Sequence, residues 1–385
     1  MRAAASRLAL IDALKAIASQ LIVLHHLAFY GPMSDVAHDL APTLISWLSQ
    51  DARIAVQVFL VIGGFLAAKT LAPQGKLLAG NPLAVLHGRY FKLAVPYLAA
   101  LLLAIVCAAF AGELMEHDSI PEAPEAVQFV AHALLLQNLL GFNSLSAGVW
   151  YIAIDFQLFA LLLGTLWLAS RLGARINGIR VLGVLFVTVL AGASLFFFNR
   201  DSAWDDWALY FFGSYALGVL TYWASARERG AGWLGLIAAV VVAALLVDFR
   251  TRIAVALLVA LTLGIGRRTG GLESWPKNGV LAYLGQISYS VFLVNFPVAL
   301  AVNAIFANFA PENTLANALG MLVAWLACLL TGAAFHRYIE SRTRLIQAWI
   351  SGACSLLLLP LRPLLQLRPL QRLVDWLTLL LRVRP

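Results

Sequence analysis

Charge is scarce in this chain. Asp, Glu, Lys and Arg make up 12% of its 385 residues, against ~25% in a soluble domain, and the shortfall excludes a soluble globular protein. Cysteine is scarce too. Of the three, Cys107 and Cys328 sit in apolar segments and Cys354 near the end, so they are expected to pack as small apolar residues, with no disulfide framework and no metal site. The sequence has no internal repeat, no low-complexity segment and no nucleic-acid motif. A cleavable signal peptide is not expected, because Asp12 and Lys15 interrupt the would-be apolar region and no small-residue cleavage pattern follows.

Apolar length is abundant: 62% of the residues are hydrophobic. Runs of ~20 residues, enough to cross a ~30 Å hydrocarbon core, fall at about 8–30, 52–72, 88–111, 147–170, 179–199, 205–224, 231–248, 252–267, 280–307 and 314–338. They predict an all-α polytopic membrane helix bundle of about ten transmembrane helices, a single domain over 1–340. The longest polar stretch, 112–124, reads as an extramembrane loop, and 126–140 as a short helix lying at the surface. Residues 341–385 are rich in Leu and Arg and broken by Pro360, Pro363, Pro369 and Pro385. They predict a cytoplasmic, amphipathic tail drawn to anionic lipid.

The charges orient the bundle. With the N-terminus inside, all 27 basic residues except Arg53, Arg200, Arg250 and Arg252 fall on the inner side, as lysine and arginine do in cytoplasmic loops. Most of the acids fall outside, among them Asp35, Asp39, Asp51, Glu113, Asp205, Asp206 and Asp248. Both termini are therefore expected in the cytoplasm. The net charge of +8 follows from this topology and gives no reason to expect a nucleic-acid partner. The acidic outer loops disfavour a densely anionic substrate, weakly, because salt screens them.

The first apolar segment carries Asp12, Lys15 and His26. Such groups cost ~2.5–3.5 kcal/mol each at the centre of a membrane helix. At ~100° per residue, Lys15 and His26 are offset by ~20° and Asp12 and His26 by ~40°. All three thus face protein or water. His26 lies ~16 Å beyond Lys15, toward the outer leaflet. Asp155 enters the fourth segment from outside and is expected ~10 Å below the outer surface, level with His26. A carboxylate beside a histidine orients the imidazole as a general base. At the inner end, Arg89 and Lys92 are one turn apart on a helix face. With Lys15 they would form a cationic mouth for a phosphorylated ligand, and Arg89→Ala is expected to weaken its binding far more than it lowers stability. Asp12 is placed to hold Lys15 through an i,i+3 pair.

Four elements in order resemble the acyltransferase-3 family of integral membrane acyltransferases. Asp12-Ala-Leu-Lys15 followed by His26 resembles that family's Leu-Asp-Gly-Leu-Arg opening and its histidine eleven positions after the arginine; here Ile11, Ala13 and Lys15 replace Leu, Gly and Arg. Arg89-Tyr-Phe-Lys92 with Pro96 resembles an Arg-x-x-Arg-x-x-x-Pro element. Trp150 to Gln157 resembles Trp-Ser-Leu-x-x-Glu-x-Gln, with Asp155 for Glu. Ser288-Tyr289-Ser290 through Asn295 and Pro297 resembles Ser-Tyr-Ser…His-x-Pro, with Asn295 where a titratable histidine is common.

The resemblance implies transfer of an acyl group, commonly acetyl from cytoplasmic acetyl-CoA, to a hydroxyl of a surface or exported glycan or glycolipid. Acyl-CoA is a co-substrate, and no cofactor is implied. Lys15, Arg89 and Lys92 would dock the CoA phosphates. His26, oriented by Asp155, would deprotonate the sugar hydroxyl, or else carry the acyl group itself. Gln157, Tyr289 or Asn295 would donate to the developing oxyanion. The expected location is a bacterial-type inner membrane. A proton-coupled secondary transporter with an Asp12/His26/Asp155 relay is the alternative, weakened by the lack of an inverted repeat.

Overall fold

The computed structural model describes residues 7–176 and 179–349; residues 350–385, which hold Cys354 and most of the expected tail, lie outside them. Among the described residues there is no strand. Each of the ten apolar segments is a helix: α1 Ala9–Phe29, α2 Val56–Leu71, α3 Pro82–Gly112, α4 Val149–Ile176, α5 Ile179–Phe196, α6 Ala208–Ala224, α7 Gly232–Val247, α8 Thr251–Thr269, α9 Gly279–Phe309 and α10 Thr314–Tyr338. Seven are long and apolar enough to cross a membrane by themselves. Of the other three, α6 and α7 have 17 and 16 residues, and α8 carries arginines at both ends. Exposed large apolar residues such as Val106, Val181, Leu246 and Leu330 form the outer surface, as a lipid-facing bundle requires.

Capping sets the two longest helices. Asn81 accepts from Leu83 N at 2.9 Å and is followed by Pro82, a start signal for α3. Asn278 accepts from Val280 N and Leu281 N and starts α9. Helix α3 begins six residues before its apolar run, so Arg89 and Lys92 lie inside a 31-residue helix.

Helix α1 packs along α9, which also touches α10 and α3; α2 packs along α6, which also touches α5 and α8. Close backbone contact holds the second pair. A Cβ on Gly64 would lie 1.9 Å from Tyr215 O, and one on Gly218 would lie 1.9 Å from Val61 O. With no hydrophobic drive between helices in lipid, such small-residue contacts supply the packing. Gly218→Ala should therefore cost at least the ~1–3 kcal/mol of an overpacked core, read as a lowered unfolding temperature in detergent. An unchanged temperature would mean that α2 and α6 do not touch there.

The segment between α3 and α4 dips into the bundle. Buried His132, in the short helix Ala126–Ala133, ties it down: its Nδ1 donates to Gln128 O at 2.8 Å and its Nε2 accepts from Leu145 N at 3.3 Å. Burial holds this imidazole below its ordinary pKa, in keeping with an accepting, neutral ring. The segment ends at Gly148, whose φ of +80° favours glycine. A Cβ there would lie 3.1 Å from Phe292 and 3.5 Å from His26 Cε1. Helix α4 thus begins beside His26.

Candidate active site

A cavity of about 690 Å³ opens beside α1 and α4. His25, His26, Gln57, Gly148, Trp150 and Tyr151 line it, and Asp51, Asp205, Asp206, Arg53, Arg250 and Arg252 contribute charge. Partial desolvation at the cavity rim, with Asp206 beside it, pushes the Asp205 carboxyl above its ordinary pKa.

His26 is buried, and its Nδ1 is 2.5 Å from Asn295 Oδ1. The amide of Asn295 is fixed independently: its Nδ2 donates to Val291 O at 3.2 Å and Phe292 O at 2.7 Å. Only its oxygen is left for the imidazole, so Nδ1 carries the proton and donates. Nε2 makes no hydrogen bond among the described residues, and the His26 ring lines the cavity. His25 differs: its Nδ1 meets Leu48 O at 3.0 Å, the backbone of the short helix Pro42–Gln50.

The expected His26–Asp155 pair does not form. Asp155 is buried and pairs instead with Arg89 Nη2. Gly148 is level with His26, and seven residues of helix place Asp155 ~10 Å further inward. The carboxylate there meets Arg89, from the N-terminal half of α3. Arg89 is therefore less a part of the inner mouth than the sequence suggested. Its guanidinium also lies over the Phe159 ring at 5.2 Å. Asp12 likewise has a different partner. It binds Arg7 Nε at 2.7 Å, and Arg7 donates on to Ala282 O at 2.5 Å. Lys15 makes no ion pair among the described residues. It still lies within electrostatic reach of Asp12, and then of Glu340 and Lys92, and Glu340 is within reach of Lys92 too. Glu340 is held by Ser290 Oγ at 2.6 Å and His336 Nδ1 at 3.0 Å. Of the three residues expected at a cationic mouth, Lys15 and Lys92 lie within electrostatic reach of each other and make no ion pair among the described residues.

The expected oxyanion donors are mostly committed elsewhere. Tyr289 donates to Leu93 O at 3.1 Å, and Asn295 is spent on its own helix and on His26. Gln157 Nε2 is free: it is buried without a partner, as are Arg89 Nε, Tyr97 OH and Tyr215 OH. Of these, Arg89 Nε belongs to the Arg89–Asp155 pair and Tyr215 lies beside it. A Cβ on Gly63 would lie 3.2 Å from the Tyr215 ring and 3.5 Å from Asp155 Oδ1. Tyr151 and Tyr215 belong to this layer and were not singled out from the sequence, although Tyr151 lies inside the Trp150–Gln157 element. Neither Lys15, Arg89 nor Lys92 lines the His26 cavity.

Among the described residues, no cluster of His, Cys, Asp and Glu is arranged to hold a metal. The sequence model of a protein family described as "Acyltransferase domain" matches residues 8–337. No curated protein and no solved structure matches the chain.

Proposed function

From the premise that this chain belongs to the acyltransferase-3 family of membrane acyltransferases, we propose that it moves an acyl group, acetyl first among candidates, from acyl-CoA to a hydroxyl of a surface or exported glycan or glycolipid. The acceptor occupies the His26 cavity, and the CoA phosphates dock at Lys15 and Lys92. His26 Nε2 takes the proton of the attacking hydroxyl. The oxygen bonds to the thioester carbonyl carbon, the carbon–sulfur bond breaks, and the proton passes from the imidazolium to the departing thiolate. The observation that carries this reading is the single tautomer imposed on His26 by Asn295, with Nε2 free at the cavity. Asn295 thus takes the orienting part expected of Asp155, while Asp155 holds Arg89.

The donor's route is the polar layer. Beside the Arg89–Asp155 pair, Arg89 Nε and Tyr215 OH are buried without partners among the described residues. The amides of a pantetheine arm threaded between the mouth and His26 would satisfy them. The transporter alternative is weaker, because Asp12, His26 and Asp155 have separate partners in Arg7, Asn295 and Arg89.

Sealed vesicles of known sidedness test the proposal. Labelled acetyl-CoA supplied at the cytoplasmic face should label glycan, and donor supplied only at the opposite face should not. Solute uptake driven by a pH gradient, without labelling, would replace the acyltransferase reading with transport. Asn295→Leu should lower kcat about 10–10²-fold, the scale of losing a histidine's orienting partner, with little change in KM for either substrate. Asn295→Asp keeps an acceptor for Nδ1–H and should retain more activity. Equal rates for the two variants would remove the orienting role.

A further inference from the structure

The exceptions to the charge asymmetry converge on the cavity. Of the four basic residues assigned to outer loops, Arg53, Arg250 and Arg252 line it, and Arg200 meets Asp248 at 3.4 Å. Arg250 is only 8% exposed. Its Nη1 donates to Asn199 Oδ1 at 2.8 Å and its Nε to Asp248 O at 3.2 Å, while Nη2 is buried with no partner among the described residues. Arg252 Nη2 donates to Asn199 O at 2.8 Å, its guanidinium lies 4.6 Å over the Tyr210 ring, and its Nε is also buried and unpartnered. Asn199 is fixed in turn by donating from Nδ2 to Tyr210 O at 2.9 Å. Asn199 and Tyr210 thus hold two guanidinium groups side by side in the cavity wall.

A guanidinium cannot shed its charge to escape burial. Its free N–H groups therefore call for an acceptor. Asp248 faces the Nε edge of Arg250 at 3.5 Å and is shared with Arg200. Asp205 is within electrostatic reach of Arg252, and Asp206 accepts from Asn138 Nδ2 at 3.2 Å. Both are exposed on the rim, where water and salt screen them. The buried donors remain for a ligand.

We propose that Arg250 and Arg252 form an anion subsite of the acceptor cavity, and that the acceptor is an acidic glycan, a sugar bearing a carboxylate or a phosphate. This names the acceptor class for the acyl-transfer reading above and rests on it. The acidic loops seen in the sequence oppose a densely charged polymer, whereas a single anionic group is met by two planar donor forks.

Three matched probes test this on the full chain in detergent: methyl glucoside, methyl glucuronide and methyl glucoside 6-phosphate, their binding followed by tryptophan fluorescence, since Trp150 lines the cavity. At least one acidic probe should bind about tenfold or more tighter than the neutral one, as a charge-assisted pair at a buried site would give. Arg252→Gln and Arg250→Lys should each shrink that ratio, and high salt should shrink it in the wild type. The two variants guard against one failing to fold, which thermal unfolding reports. A preference for the glucuronide assigns a carboxylate, and a preference for the 6-phosphate assigns a phosphate. Equal binding of all three probes, no binding of either acidic probe, or a ratio preserved in both folded variants would overturn the subsite. The binding readout is independent of catalysis. Acetyl transfer without an acidic preference would sink the subsite alone, and an acidic preference without acetyl transfer would sink the acyltransferase reading alone.

Discussion

His26→Gln is expected to lower acetyl transfer from acetyl-CoA by about 10²–10⁴-fold, the contribution of a placed general base, while the unfolding temperature moves little. Glutamine fills similar space and can still hydrogen-bond to Asn295 Oδ1, but it cannot take a proton from a sugar hydroxyl. The wild-type ring is committed on one side only, with Nδ1 on Asn295 at 2.5 Å and Nε2 left to the cavity. Donor binding should persist in the variant, because Lys15 lies at the other end of α1, within electrostatic reach of Lys92 on α3. Labelling of glycan in membranes, normalised to folded protein, decides the matter. A variant that keeps a third or more of the wild-type rate would show that some other group removes the proton.

Removing either member of the Arg89–Asp155 pair should cost ~3–5 kcal/mol of stability, the penalty for leaving a buried charge without its partner. Asp155 is 6% exposed, and the Arg89 side chain is 25% exposed, stacked toward Phe159. This reverses the expectation from sequence that Arg89→Ala would mainly weaken donor binding. Replacing both residues with apolar ones, as in Arg89→Met with Asp155→Leu, should recover most of the loss, since buried pairs are often replaceable by packed apolar groups. Unfolding of the four proteins in detergent closes a double-mutant cycle. Single variants within ~0.5 kcal/mol of the wild type, the range of ordinary surface substitutions, would mean that water screens the pair. The apolar double variant should fold yet fail in transfer, because the charged layer on the proposed donor route is gone. Transfer at the wild-type rate in that variant would confine the pair to a structural part.

Parts of the candidate site's geometry were legible in the sequence. The eleven-residue spacing from Lys15 to His26 put both on one face of α1, and the structure keeps them on that helix with His26 buried at the cavity. The four arginines out of step with the charge asymmetry were visible as exceptions, and three of them line that cavity. Their pairing through Asn199 was not visible, because Asn199, Tyr210 and Arg250 come from three separate segments with no shared period. The partner of Asp155 was misread for a related reason. Helical spacing tells which way a side chain points but not the depth at which its helix starts.

Composition and apolar period alone determined the helical membrane class, the ten helical segments and the polar groups that must face inward. A bilayer demands ~20 apolar residues per crossing and penalises every unpaired charge, so those features are written residue by residue. The tertiary structure alone decided that Asn295 meets His26 and that Arg89 meets Asp155. The first depends on the packing of α9 along α1, and the second on how far α4 is drawn into the bundle beyond the turn at Gly148, and no local pattern along the chain encodes those offsets.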